Sequence, residues 1–180
     1  MEIALVAGAL AAGAGVLAGG SLDSLAATKL AALPFLFAGL ALQLIFLFWD
    51  PSWLTDGISL GVLITSNLLV MVFIWLNRRL PGMLIAGAGL VLNILVISLN
   101  GAMPVSPEAA RVAGGEDFVS SDIKHASLDG DTLLPWLADI LPIPKLGFVL
   151  SAGDVVLIVG IARLTYARTT AGGRTSEASG

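Results

Sequence analysis

Hydrophobic residues fall in five long runs, broken by short stretches that hold nearly all the prolines, charges and paired turn residues. The runs extend over 3–20, 30–49, 58–76, 83–99 and 146–162. Each is apolar on every side of a helical wheel, with no polar face to turn towards water. A bilayer core takes about 20 apolar residues of helix, with a range of roughly 17–25, and all five runs meet that length. The pattern predicts an all-α membrane protein: a bundle of about five transmembrane helices in one polytopic domain, 1–168. A partly helical outer segment, 100–145, joins helices four and five. The first run resembles a signal sequence in position, but Met1-Glu2 supplies no positive charge ahead of it, so it is expected to remain as a helix.

The breaks also predict orientation. Lys29, Arg78, Arg79, Arg163, Arg168 and Arg174 fall on one side of a chain that crosses five times. Asp50, Asp56 and the long segment, with its scattered Arg111, Lys124 and Lys145, fall on the other. Positive charge near helix ends marks the cytoplasmic side, which places the amino terminus outside and the carboxyl terminus inside. Trp49, Trp53 and Trp136 then mark the outer interface, and Trp75 and Tyr166 the inner one.

Composition agrees. The chain is 57% hydrophobic and 12% charged, against about 25% charged in an ordinary soluble domain. A net charge of −4 argues against nucleic acid as a partner. The absence of cysteine excludes disulfides, thiolate metal sites and cysteine nucleophiles. The glycine-containing runs at 13–18 and 87–89 follow no strand and are not nucleotide fingerprints. Cofactors and metals are not expected.

Small residues recur along the first helix, with Gly8 and Ala12 on one stripe and Gly15 and Gly19 on another. In lipid such stripes let helix backbones approach closely, either within this chain or against another membrane subunit.

Four amide or carboxyl side chains interrupt the spans: Gln43, Asn67, Asn93 and Asp154. At a rise of ~1.5 Å per residue they lie roughly 9–14 Å inside the outer helix ends, which suggests one polar cluster. Asp154 is the costliest, at ~2.5–3.5 kcal/mol for an ionised carboxylate in hydrocarbon. It is a candidate centre of a proton, cation or polar-ligand site. The simpler alternative, an aspartate that pins its helix or is hydrated from the outer surface, weighs slightly more.

In the outer segment, Ser106-Pro107-Glu108 reads as a helix start ending at Gly114-Gly115. Residues 133–141 suit a helical turn in the headgroup layer, anchored by Trp136. His125 sits beside Lys124 among Asp122, Asp129 and Asp131, but one histidine lacks the ligand spacing of a metal motif. No nucleophile-elbow pattern is present. Residues 169–180 are small and polar and are expected to be a disordered cytoplasmic tail.

Several stretches together resemble a bacterial membrane family, domain of unknown function 5317. They are Asn77 to Gly82, Leu92-Asn93, Asn100 to Ala109, Lys124-His125, Leu134-Pro135, Asp139-Ile140, Pro142, and Phe148 to Asp154. The resemblance covers most of the chain. It implies that Asn100, Met103, Pro104, Ser106, Lys124, His125 and Asp154 belong to a recurrent pattern, and that the location is a bacterial inner membrane. It supplies no activity. The favoured reading is a non-enzymatic accessory or scaffold subunit of a larger membrane assembly. The alternative is binding or transport through the Asp154 cluster. A weaker third is an enzyme at the outer interface using His125 and nearby acids.

Overall fold

A computed structural model describes residues 2–48, 56–114, 125–144 and 147–171. Trp49, Asp50, Trp53, Asp122, Lys124, Lys145, Arg174 and residues 172–180 lie outside the described residues, as does the expected helix end at Gly115.

The fold is mostly helical. In chain order the helices are α1 (Glu2–Leu17), α2 (Leu22–Ala26), α3 (Leu33–Phe48), α4 (Asp56–Leu76), α5 (Met83–Asn100), α6 (Pro107–Gly114) and α7 (Ala152–Thr170). Two stretches, Gly57–Leu76 in α4 and Met83–Asn100 in α5, are long and apolar enough to cross a membrane. α1 and α3 contribute the shorter apolar stretches Ala7–Leu17 and Leu33–Leu44.

The long helices pack as a row. α7 lies between α1 and α5, α4 lies on the other side of α5, and α3 covers the far side of α4. Glycine sets the closest of these contacts. A Cβ on Gly89 would collide with the Gly153 carbonyl, and one on Gly160 with the backbone of Ala86, so α5 and α7 touch backbone to backbone. α5 is delimited by Gly82 (φ +89°) and Gly101 (φ +81°), both left-handed, a conformation that costs glycine nothing. The core between the helices is Phe73, Ile74, Met83, Ala86 and Leu90.

Many large apolar side chains of the row are left uncovered. Leu10, Phe37, Leu68, Leu84, Val91 and Val159 are each at least half exposed. A protein in water would bury such residues; a lipid-facing one has no reason to.

Among the described residues beyond the α5 end, the chain forms four short strands and α6. β1 (Met103–Val105) pairs in parallel with β2 (His125–Ser127), and β3 (Leu141–Ile143) pairs antiparallel with β4 (Phe148–Leu150). The segments are knitted together at Asp139, whose N–H donates to the Pro104 carbonyl and whose carbonyl accepts from the Ser106 N–H, both at 2.9 Å. Met103 is buried with Val96 and Ile97, where this cap meets α5.

Three features depart from the sequence pattern. The expected turn near Trp136 is a short 3-10 turn, Pro135–Leu137, followed by β3 rather than more helix. The four strands carry no alternation long enough to read, since each spans three residues. The last long helix occupies Ala152–Thr170, because Phe148-Val149-Leu150 pairs as a strand and Ser151 starts the helix with its side chain.

Candidate polar site at the α5–α7 contact

Ser151 is fully buried and caps α7: its Oγ accepts the Asp154 N–H at 2.9 Å. Asp154 answers by accepting the Ser151 N–H at Oδ2, 3.0 Å. This reciprocal capping box satisfies two backbone donors that a helix start would leave orphaned. A carboxylate in the first turn also sits favourably against the helix dipole.

Asn93 of α5 closes the arrangement. Its Nδ2 donates to Asp154 Oδ1 at 2.8 Å, and its Oδ1 accepts from Ser151 Oγ at 2.9 Å. Gly153 makes this possible, since a Cβ there would collide with the Asn93 side chain. Three residues from two helices therefore form a ring in which both carboxylate oxygens, both amide atoms and the hydroxyl are engaged.

The other two sequence candidates are engaged elsewhere. Gln43 of α3 reaches Ser66 Oγ of α4 at 3.4 Å, and the Asn67 amide donates to the Leu63 carbonyl of its own helix at 2.7 Å. Thus the expected cluster of four does not form: Asn93 and Asp154 come together with Ser151 as an unexpected third member, and Gln43 and Asn67 stay apart from them. That member was legible in principle, because Ser151-x-x-Asp154 is a capping-box spacing.

The outer-segment candidates have structural positions. Asn100 brackets Leu133: its Oδ1 accepts the Leu133 N–H at 2.8 Å, and its Nδ2 donates to the Leu133 carbonyl at 3.0 Å. Ser106 caps α6 by accepting the Ala109 N–H at 3.3 Å. Met103 is core, and the His125 backbone pairs with it in the β1–β2 ladder. An open cavity of about 300 Å³ lies under this cap, lined by Leu99, Asn100, Pro104, Ser127, Asp129 and Thr132 among others. Asp129 is itself turned inward to its loop, accepting from the Asp131 N–H and the Thr132 hydroxyl. Among the described residues, no group of three or more metal-ligating side chains comes together.

Sequence reasoning missed Asn77, which is buried at the other end of the bundle. Its Oδ1 accepts the Ala31 N–H at 2.9 Å, and its Nδ2 donates to the carbonyls of Ala31 and Phe73, each at 2.8 Å.

Comparison with known proteins gives two matches. The profile of a family of unknown function, DUF5317, matches residues 27–166. An uncharacterized protein of Thermotoga maritima is 32% identical over 98 residues, which is 52% of this chain and 55% of that protein. The chain thus spans about half the length of the curated relative it matches. No solved structure matches the fold.

Proposed function

Given that the chain belongs to the family of unknown function DUF5317, we propose that it is a polytopic membrane protein serving as a non-enzymatic accessory or scaffold subunit of a larger membrane assembly. The long helices α1, α3, α4, α5 and α7 cross the membrane, with the amino terminus outside, the capped end outside and the carboxyl terminus in the cytoplasm. The apolar exposed faces of the row support lipid contact on both sides. The direction of packing supports an odd number of crossings: α5 and α7 are antiparallel through the Gly89–Gly153 and Gly82–Gly160 contacts. α1 runs parallel to α7, since Gly8 lies by Ile161 and Gly15 by Thr169. Gly8 and Gly15 are thereby used within the chain, while Leu10, Gly13, Val16 and Leu17 leave an exposed face of α1 for a neighbouring subunit.

The observation that carries the scaffold reading is the closed ring at Asn93, Ser151 and Asp154. A transport or binding site needs polar atoms left over for its ligand, whereas here each functional atom holds a helix start or a helix contact. Buried polar side chains in membrane bundles commonly act as such interhelical ties.

Purified protein reconstituted into liposomes tests this against transport. The scaffold reading expects proton and cation leakage equal to that of empty vesicles, with Asp154→Asn no different. A flux that Asp154→Asn abolishes would overturn it in favour of a site centred on that carboxylate.

A further inference from the structure

The end of the bundle opposite the cap gathers Lys29, Arg78, Arg79, Arg163 and Arg168 against one described acid, Asp23. None of the five makes an ion pair with a described acid. One of them is held in place all the same, and another carries an unsatisfied donor. Arg78 donates through Nη1 to the Trp75 carbonyl at 2.9 Å, and its guanidinium lies 4.6 Å from the centre of the Trp75 ring. That fixes the plane of the fork and one of its nitrogens, and its other N–H donors meet no acceptor among the described residues. Arg168, half-buried in the last turn of α7, has a buried Nε with no hydrogen-bond partner among the described residues. A buried donor on a charged group without an acceptor is costly, and a helix C-terminus offers only partial relief.

Trp75 and Tyr166 are both well exposed at the same end, where amphipathic rings settle at headgroup depth. An ordered guanidinium, an unsatisfied buried N–H, an excess of cations and interfacial aromatic rings all ask for the same thing: an anionic, multi-acceptor oxygen group at the membrane surface. A phosphodiester meets that description, because its paired oxygens match the arginine fork. We propose that this end binds the phosphates of anionic phospholipids, through Arg78 and through Arg168. The proposal rests on the membrane reading above.

The test is the melting midpoint of the purified protein in neutral-detergent micelles carrying phosphatidylglycerol, or phosphatidylcholine with the same acyl chains. Preferential binding to the folded state raises the midpoint, and phosphatidylglycerol is expected to raise it by about 5 °C more than phosphatidylcholine. Arg78→Gln with Arg168→Gln removes that difference, while Lys29, Arg79 and Arg163 still set the orientation. Equal midpoints for the two lipids in the unmodified protein would overturn the proposal, as would a preference that survives in the folded double variant. If the double variant does not fold, salt decides on the unmodified protein. Raising NaCl from about 50 to about 500 mM should abolish the difference, and a difference that persists contradicts the proposal. Failure of the membrane reading looks different: the protein would then be recovered from cells without detergent.

Discussion

Asn77 and Asn100 do the same job at opposite ends of the bundle. Each side-chain amide embraces both backbone groups of one distant residue, Ala31 and Leu133 respectively, as a neighbouring strand would. In both cases the next residue is a non-glycine in the left-handed region, Ala32 at φ +58° and Leu134 at φ +54°. Such a conformation costs on the order of 1–3 kcal/mol and persists only where surrounding bonds over-determine it. The two brackets supply that constraint. Burial separates their energetic weight, since Asn77 is 5% exposed whereas Asn100 lies partly in solvent. Asn77→Ala strands the Ala31 N–H and carbonyl, so a loss of about 2–4 kcal/mol is expected. Asn100→Ala, whose partners can turn to water, should cost about 1 kcal/mol. Thermal melting in detergent checks the ranking, and equal losses would contradict it. Both asparagines were visible in the sequence as members of Asn-Arg-Arg-Leu-Pro-Gly and Asn-Gly runs. Their roles were not, because the bonded backbone lies 46 and 33 residues away and periodicity carries no information over such separations.

Among the helices, the α5–α7 contact carries the most constraint. Gly82, Ala86, Gly89 and Asn93 recur along one face of α5, and Gly153, Leu157 and Gly160 along the facing side of α7. Small residues at this spacing let the two backbones pack closely, the source of stability for helix contacts in lipid. Gly89→Ala or Gly160→Ala should therefore force the helices apart and lower the melting midpoint by several degrees. Gly61→Ala on α4, where a Cβ meets nothing within 4 Å, should be neutral or stabilising, since alanine is the better helix former by about 1 kcal/mol. Ser151→Ala should cost about 1–3 kcal/mol, because it removes the cap of α7 and leaves Asn93 Oδ1 without its donor. A folded variant with an unchanged midpoint would contradict the ring as a structural tie.

Most helix positions followed from hydropathy alone: the runs at 58–76 and 83–99 became Asp56–Leu76 and Met83–Asn100. The start of α7 did not, because Phe148-Val149-Leu150 is as apolar as the helix it precedes. Hydropathy registers apolarity without telling strand from helix over three residues. Asp154 consequently stands in the first turn of its helix, beside the cap, instead of about two turns within.

At the scale of the whole molecule, one end of the helical row is a sheet-and-helix cap and the other is cationic. The complete lack of cysteine makes this asymmetry easy to map by single-cysteine labelling without background. Ser127 in the cap and Ala27 beyond α2 are both exposed. In intact cells a membrane-impermeant maleimide should label the Ser127→Cys variant. The Ala27→Cys variant should react only after permeabilisation, and the opposite order would reverse the proposed orientation.

Buried polar side chains that tie the chain to itself, and an exposed apolar face on α1, are what the proposed accessory-subunit role calls for. The most direct measurement is isolation of the tagged full chain from its own host in mild detergent, with the mass and protein composition of the eluate determined. The accessory-subunit account predicts a second membrane protein retained at a fixed integer ratio, lost when Gly13→Leu fills the exposed face of α1. Elution of this chain alone, or only with copies of itself, would contradict it.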